Sequence, residues 1–529
     1  MIKGFLTTMM VAGLTVAIAQ TSSVNYSEHI APIIYSHCTT CHRAGEIAPF
    51  PLTSYAEVAA YAQSIQHATS IQYMPPWKAD PTYQHYLKEN YLSAAQIQQI
   101  SDWVSAGTPQ GDPALEPPLP VFPTGSQIGM PDTVIAFHQA YTHVGNNTDE
   151  YRYFAIPTGL TQDRDLIALE VRPGNKSIVH HALFWEDTTG QSAAADSAAP
   201  GYGWTGNLNS IFSQIDNQLP SYVPGQKTTV LSNGMAYRLH AGGYLKAQFH
   251  YAPIATDETD SSSFNLFFAH APATRYVKSH VMVPLPGVLI NGPFIIPANQ
   301  VKEFHGTYTM PEDASMLSTM PHMHKLGTHW YVFAIKPTGD TVPLIKINSW
   351  DFNWQGNFDF KNLIHLPQGT VIHALAGYDN TTNNVNNPYS PPQQIGWGEN
   401  TSDEMYYLPL QWVSYRSGDE NLVLDSTGTV ATGISDPHIS YIGDKLYPVA
   451  PNPASGKVKI GFTLGNSGMT SLRLYDLQGR TVSTLADNKY YIEGWHQADL
   501  DLSNLATGEY VLSLQAHDKT YQQRVVVAR

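Results

Sequence analysis

The chain has 529 residues, and its 28 Lys and Arg against 43 Asp and Glu give a formal net charge of −15. This charge argues against nucleic acid or an anionic membrane as the partner. The length predicts three or four domains, and a charged fraction of only 13% with abundant Gly, Pro, Tyr and Asn is typical of an exported, mainly β protein.

The first twenty residues contain one Lys, an apolar run from Phe5 to Ile18, and small residues at Ala17 and Ala19. This pattern predicts a cleavable secretory signal at 1–20. No later stretch is apolar enough to cross a bilayer, so we expect no transmembrane segment after signal removal. The mature protein is therefore expected to be exported.

Residues 21–112 have the pattern of a small all-α domain. Ser54 with Glu57 and Ser93 with Gln96 form two capping boxes, which mark helix starts. Residues 113–125 are rich in proline and predict an extended linker that tethers this domain to the rest of the chain.

The sequence CTTCH, Cys38 to His42, lies within this helical region and contains both cysteines of the chain. It is the attachment motif for c-type heme, in which two thiols bind the porphyrin and the adjacent histidine binds the iron. A thioredoxin-like redox pair and a structural disulfide are the alternatives. The helical context and the trailing His42 favour one covalently bound heme c.

A second axial ligand is expected from the other side of the heme. Met74 lies in the Pro-braced sequence YMPPWKADP between two predicted helices, where a fixed ligand is needed. His67 and His85 are alternatives. The whole segment resembles the small cytochrome c domains of exported bacterial proteins.

From residue 126 onward, short alternating apolar runs are separated by Gly, Pro, Asn and Asp. This predicts two antiparallel β-sandwiches of the jelly-roll kind at 126–285 and 286–425. Residues 426–446 read as a second linker, and 447–529 as a small C-terminal β-sandwich. The fold class is therefore multidomain and mainly β.

The two sandwich regions contain six candidate metal ligands: His180 and His181 in KSIVHHALFW, His250 in KAQFHYAP, His322 and His324 in MPHMHKLG, and Met405 in SDEMYY. On a strand His322 and His324 would point the same way, because the side-chain period is two. Imidazole is a common ligand for copper, zinc and nickel. Surface or packed histidines and a core methionine are the alternatives for each residue taken singly.

In order and local sequence these six residues resemble the ligands of the copper type II monooxygenases, the family of peptidylglycine α-hydroxylating monooxygenase and dopamine β-monooxygenase. The resemblance implies that one copper is bound by His180, His181 and His250. A second, oxygen-reactive copper is then bound by His322, His324 and Met405, which are the implied catalytic residues. A thioether favours Cu(I) and disfavours zinc.

The family hydroxylates a substrate C–H bond with O₂, while the all-histidine copper supplies the second electron. The resemblance therefore implies a small organic substrate, O₂ and an electron donor, which could be an ascorbate-like reductant, a redox protein or the fused cytochrome. Two features depart from the family. No cysteine remains for disulfides, and Met320 occupies the position of the arginine that binds peptide carboxylates, which favours a more apolar substrate.

Residues 447–529 resemble the C-terminal sorting domain of the type IX secretion system through PNP, LYDLQGR and LATGEYVLSL. An ordinary accessory β-sandwich is the alternative. The resemblance implies secretion machinery as a partner and a secreted or surface-attached location in a Gram-negative bacterium.

The sequence thus predicts a monooxygenase with two copper ions and one heme. The alternative is a surface electron-transfer or copper-binding protein that hydroxylates nothing.

Overall fold

A computed structural model describes residues 24–424 except 124 and 207–217, and residues 444–528 except 448, 450, 451, 465–467, 492, 493 and 518. The predicted signal at 1–20 and most of the linker predicted at 426–446 lie outside the described residues. The protein is 41% strand and 11% helix, which confirms a mainly β, multidomain chain. It divides into two compact units, Met1–Thr432 and Gly433–Arg529.

The helices of the N-terminal region surround a small core that contains Tyr26, Ile34 and Trp103. They are a π-helical turn at Tyr26–Ile30, α1 (Ala31–His37), α2 (Tyr55–Ala60), α3 (Ala62–Ser70) and α4 (Ala94–Ser105). Both predicted caps are present: the Ser54 side chain accepts a hydrogen bond from the Glu57 N–H, and Ser93 and Gln96 form a complete capping box. These caps satisfy N–H groups that a helix leaves unpaired at its start.

The helical region is fixed to the rest of its unit by more than the predicted linker at 113–125. Ala79 and Tyr86 form isolated antiparallel bridges with Ile347 and Phe360. The Tyr86 hydroxyl donates to the carbonyl of Leu344 over 2.7 Å. The segment after α3 therefore contributes Ala79 and Tyr86 to the core of the second sandwich.

The first sandwich consists of two five-stranded sheets, with strand orders β1-β11-β4-β8-β12 and β6-β3-β9-β5-β7. Its elements are β1 (Thr133–Ala136), β2 (Tyr141–His143), β3 (Glu150–Pro157), β4 (Arg164–Arg172), β5 (Val179–Asp187), α5 (Gln191–Ala198), β6 (Trp204–Thr205), β7 (Gln218–Tyr222), β8 (Met235–Leu239), β9 (Tyr244–Tyr251), β10 (Glu258–Asp260), β11 (Ser263–Phe268) and β12 (Arg275–Tyr276). Phe184 of one sheet packs on Phe264 of the other, with ring centroids 5.5 Å apart.

The second sandwich has two four-stranded sheets, with orders β13-β22-β16-β19 and β15-β20-β17-β18. Its strands are β13 (Lys278–Met282), β14 (Ile295–Ile296), β15 (Val301–Thr309), β16 (Ala314–Thr319), β17 (Gly327–Ile335), β18 (Thr341–Ile347), β19 (Phe358–Leu366), β20 (Val371–Asp379), β21 (Ile395–Gly396) and β22 (Leu408–Ser414). Its core includes Phe304, Trp330 and Leu408, which are fully buried.

The two sandwiches meet through buried polar contacts as well as apolar packing. Tyr237 donates to the side-chain oxygen of Gln411 over 2.9 Å, and Gln411 donates to the carbonyl of Gln218 over 3.0 Å. Arg275 and Asp419 form a buried ion pair at 2.5 Å. These contacts fix the register between the two domains, because each buried polar group needs its particular partner.

The C-terminal unit is a separate β-structure with its own core. Its strands are β23 (Lys445–Leu446), β24 (Lys457–Leu464), β25 (Gly468–Asp476), β26 (Thr481–Tyr491), β27 (Gly494–Asp501), β28 (Gly508–Ala516) and β29 (Lys519–Val527). Val458, Ile460, Phe462 and Leu464 alternate along β24 and are all buried, as their period of two predicts.

We predict that Tyr86 stabilises the second sandwich although it lies in the N-terminal region. Tyr86→Ala should lower the free energy of unfolding of the larger unit by about 3–5 kcal/mol, because a buried aromatic ring is lost. Tyr86→Phe should cost about 1 kcal/mol through the lost hydrogen bond to Leu344. Urea unfolding measures both changes, with the exposed Tyr490→Ala as control. Wild-type stability in Tyr86→Ala would show that this segment does not pack on the sandwich.

Candidate metal centre

Three histidines converge on one point in the first sandwich. The Nδ1 atom of His180 lies 3.2 Å from that of His181 and 3.1 Å from that of His250, and the last two are 3.4 Å apart. Three nitrogen lone pairs that face one another at this separation suit a shared cation better than mutual hydrogen bonds. Among the described residues, this is the one cluster of three or more His, Cys, Asp or Glu side chains that could hold a metal.

A β-bulge explains how two consecutive histidines reach the same point. Successive side chains on a strand point to opposite faces. The pairing of β5 with β9 shifts register between Val179 and His181, so His180 is the extra residue. His181 then lies opposite His250 in the ladder. The bulge turns His180 toward the other two imidazoles, which a regular strand would not do.

The acidic side chain of Asp149 supports this cluster. Its Oδ1 atom lies 2.7 Å from Nε2 of His250, the ring nitrogen that faces away from the convergence point. A carboxylate on the outer nitrogen fixes the tautomer and leaves Nδ1 as a lone pair. Burial lowers the pKa of His250, and the contact with Asp149 opposes this shift.

In His322 and His324 the ring nitrogen available to a metal is Nε2, whereas in the first three histidines it is Nδ1. Nδ1 of His322 is 2.5 Å from Oε1 of Gln355, and Nδ1 of His324 is 3.1 Å from the carbonyl of Asp403. Both acceptors hold a proton on Nδ1, which leaves Nε2 as the lone pair. Nε2 of His324 is buried and has no partner among the described residues. A buried lone pair without a donor is what an absent metal would satisfy.

The sequence pattern predicted that His322 and His324 lie on a strand. In the structure the pair is not part of a regular strand. His322 and His324 lie in the connection between β16 and β17, where His322 forms an isolated bridge with Tyr407. The two rings are nevertheless close, with centroids 5.2 Å apart. The bridge with Tyr407 therefore gives His322 a local β-geometry, although His322 does not lie on a regular strand.

Glu404 links Met405 to the chain segment that contains His324. No sequence pattern had indicated a role for Glu404. The buried Glu404 carboxylate accepts the backbone N–H groups of His324, Leu326 and Met405 at 3.1–3.2 Å. Burial raises the pKa of Glu404 to about 8, while the three N–H donors act in the opposite direction. Glu404 thus joins the two chain segments that contain the candidate ligands.

The two ligand sets are neighbours across the interface between the sandwiches. The ring centroids of His181 and His322 are 5.7 Å apart. Phe352 lies between the sets, 5.7 Å from His180 and 5.8 Å from His324. The structure therefore brings together five imidazoles, with Met405 lining a small cavity beside His181 and His322.

The predicted heme ligands lie in the N-terminal region. Cys38 follows α1 and Cys41 and His42 form the next turn, in which the N–H of His42 donates to the carbonyl of Cys38 over 2.9 Å. Both thiols are unpaired in this structure. Nδ1 of His42 lies 3.0 Å from the carbonyl of Phe50, which leaves Nε2 for an iron. The three residues therefore fit covalent heme attachment.

Met74 lies just after α3 and is half-buried, with its N–H donating to the carbonyl of Ala68 over 3.1 Å. Of its two rivals, His67 is exposed on α3, and the side chain of His85 is 62% exposed. A heme ligand must be shielded from solvent on the heme side, which keeps Met74 as the predicted distal ligand.

The buried imidazoles predict a pH dependence for the metal-free protein. Burial lowers the pKa of His180 to about 3 and that of His322 to about 4, with His250 adding to both shifts. Below pH 6.5, the usual pKa of histidine, His180 and His322 bind protons in the unfolded chain but not in the folded protein. The free energy of unfolding should therefore fall as the pH is lowered from 6.5 to 4.

Urea unfolding at several pH values measures this slope. His322→Gln should make it shallower, and the exposed His67→Gln should leave it as in the wild type. A slope that is equal in all three proteins would contradict the assignment of buried, neutral imidazoles.

Comparison with known proteins identifies the C-terminal unit. Residues 448–528 match the family model described as "Secretion system C-terminal sorting domain", which confirms the prediction for 447–529. No helix among the described residues is long and apolar enough to span a membrane. The sorting domain indicates export to the cell surface or beyond in a Gram-negative bacterium.

The comparisons with curated proteins and solved structures concern the whole chain. No curated protein matches it. Solved structures with partial similarity include a β-glucuronidase of Faecalibacterium prausnitzii, with 10% identity, a TM-score of 0.15, and coverage of 49% of this chain and 47% of that one. The infectious bursal disease virus VP2 particle gives 11% identity, a TM-score of 0.16, and coverage of 56% and 75%. The chain covers less than half of the first, and scores this low carry no argument about function.

Proposed function

We propose that this exported protein is a copper- and heme-containing monooxygenase that hydroxylates a C–H bond of a small organic substrate. The proposal depends on which ring nitrogen of each histidine is available to a metal. The Nδ1 atoms of His180, His181 and His250 converge on one point. In His322 and His324 Nδ1 is hydrogen-bonded, so Nε2 is the available nitrogen. Two sets with separately fixed tautomers fit two metal ions. Met405 beside the second set favours copper, since a thioether prefers Cu(I) and is a poor zinc ligand.

The reaction consumes one O₂, two electrons and two protons, and it converts R–H to R–OH with release of water. Copper held by His322, His324 and Met405 would supply the oxygen chemistry, and copper held by His180, His181 and His250 would supply an electron. The protein's part is to keep the ligand nitrogens unprotonated and oriented, which Asp149, Gln355 and Glu404 do through the hydrogen bonds described above. Phe352 and the apolar residues around Met405 exclude water from the space between the sets.

Electrons are proposed to come through the heme bound at Cys38, Cys41 and His42. Two close contacts join this segment to the first sandwich. Glu46 and Lys176 form an ion pair at 2.5 Å, and Lys176 is four residues before His180. A Cβ atom added to Gly225 would lie 2.7 Å from the sulfur of Cys41. These two contacts favour electron transfer from the heme first to the copper of the His180 set and then to the copper of the His322 set.

Metal analysis tests the two-site assignment. Full-length protein produced with heme-maturation machinery should contain one heme and two coppers. Replacing His322 and His324 with Ala should remove about one copper and leave the heme spectrum unchanged, because the ligands lie in different domains. The matched control is the half-buried pair His305 and His373, which lies outside both ligand sets and whose replacement should leave both coppers in place. Loss of heme in the first variant would refute the domain assignment.

Substrate-dependent O₂ uptake then separates a monooxygenase from the alternative of a copper-binding electron carrier.

Stopped-flow spectroscopy tests the electron route. Pre-reduced heme should be reoxidised rapidly when O₂ and substrate are added, and His250→Ala should slow this step without altering the heme spectrum. His138→Ala removes an exposed imidazole from the same sandwich and should behave as the wild type. Reoxidation that is indifferent to His250 would mean that the heme serves another partner.

A further inference from the structure

One loop of the second sandwich contacts the second ligand set through two of its side chains. This β18–β19 loop consists of residues 348–357, between the two strands. The ring of Phe352 lies 5.8 Å from that of His324, and Oε1 of Gln355 lies 2.5 Å from Nδ1 of His322. Since Phe352 also faces the first set, this loop adjoins both candidate metal sites.

The same loop contacts the helical region beside the predicted distal heme ligand. The rings of Trp354 and Tyr73 meet edge to face with centroids 5.5 Å apart, and Tyr73 directly precedes Met74. Close to this contact, the ammonium of Lys78 lies 3.5 Å from the carboxylate of Asp351, and both side chains are largely shielded from solvent. A shielded ion pair favours one arrangement of the two segments, because either charge would lack its partner in another.

The loop is also joined to the segment that packs on Cys41. The side-chain amide of Gln226 donates to the carbonyl of Asn357 over 3.0 Å, and its oxygen accepts the N–H of Asn357 over 3.2 Å. Gly225, the residue before Gln226, lies against the sulfur of Cys41. The β18–β19 loop therefore has a connection to each of the two chain segments that contain predicted heme ligands.

Trp354 has an unmet hydrogen-bonding requirement at this junction. Its indole nitrogen is buried and has no hydrogen-bond partner among the described residues. Buried N–H groups are normally paired, so an unpaired one marks a place where a group absent from the structure is bound. The next residue, Gln355, directs its side chain to His322 instead. Two consecutive side chains thus connect the helical region with the second ligand set.

We propose that Trp354 and Gln355 form a direct electron route from the heme to the copper of the His322 set. The route begins at Met74 and its neighbour Tyr73, and it crosses to the indole of Trp354. It continues through the peptide bond to Gln355 and over the hydrogen bond to His322. Each transfer oxidises ferrous heme and reduces Cu(II) by one electron, and no bond is made or broken.

The inference rests on the proposed function for the presence of the heme and the two coppers. Hydroxylation needs two electrons at the oxygen-reactive copper, whereas the contacts of Cys41 and Lys176 lead to the His180 set. The β18–β19 loop gives the His322 set a connection of its own. One electron then reaches this copper directly, and the other reaches it through the copper of the His180 set.

Electron transfer in the absence of O₂ tests this route in a protein that holds a single copper. Replacing His181 and His250 with Ala removes two ligands of the first set, so the full-length protein should contain one heme and one Cu(II) in the His322 set. Metal analysis and electron paramagnetic resonance check this content. Flavin and a light flash reduce the heme, and its absorbance then follows the loss of the electron to copper. Heme that stays reduced beside Cu(II) overturns the proposal.

Substitutions at the ring contact locate the route in this one-copper protein. Trp354→Ala and Tyr73→Leu should each slow the transfer about tenfold or more, and the double variant should be no slower than the slower single one, because both remove the same contact. Trp354→Phe keeps a ring against Tyr73 and should retain most of the rate. The matched control is Tyr331→Ala, which removes a partly exposed ring from β17 and should leave the rate unchanged.

Spectra of the same variants separate the electron route from structural support. The heme absorbance spectrum and the copper resonance signal should be unchanged in Trp354→Ala and Tyr73→Leu. A rate that is indifferent to both substitutions overturns the proposal, as does slowing that occurs only together with an altered copper or heme signal.

The outcomes also distinguish this proposal from the proposed function. Transfer that depends on Trp354 in a protein that hydroxylates nothing refutes the monooxygenase and retains the route. Hydroxylation with transfer that is indifferent to Trp354 refutes the route alone. Full-length protein that takes up no copper refutes both.

Discussion

The interface between the two sandwiches must accommodate five imidazoles, of which His181, His250, His322 and His324 are buried, and the buried carboxyl group of Glu404. Burying a polar group is costly unless it has a partner, and burying a charge is more costly still. The protein meets this constraint by giving one ring nitrogen of His250, His322 and His324 an acceptor and by bringing the Nδ1 atoms of His180, His181 and His250 together. Each ligand set finds its hydrogen-bond partners within its own sandwich, and the docking of the two sandwiches brings the two sets together.

The second layer of hydrogen bonds has a structural as well as a chemical role. Glu404 ties the connection between β16 and β17 to the segment before β22, and Tyr378 donates to the carbonyl of Met405 over 2.9 Å. Gln355 and Phe352 belong to one loop, which supports His322 on one side and separates the two ligand sets on the other. Changes in this loop will therefore affect both candidate metal sites together.

Sequence patterns predicted those features that depend on local chemistry. The alternation in β24 and the caps at Ser54 and Ser93 followed from residue type and spacing, whereas the grouping of His180, His181 and His250 was implied only by the resemblance to the copper type II monooxygenases. The roles of Phe352 and Glu404 did not, because each depends on contacts between distant segments that no local pattern encodes. The bulge at His180 was also missed, since it depends on the pairing partner rather than on the strand itself. An aromatic-rich stretch, SWDFNW at 349–354, was the available signal for the loop.

The two ligand sets differ in how firmly the backbone holds them. His181 and His250 sit opposite each other on hydrogen-bonded strands and present the ring nitrogen nearer the main chain. His322, His324 and Met405 come from irregular connections, and the two histidines present the nitrogen farther from it. A metal in the strand-held set would keep nearly the same coordination in both oxidation states, which gives a small reorganisation energy and rapid electron exchange. A metal in the loop-held set would meet fewer strand constraints on its coordination, which would suit it to a step that makes and breaks bonds.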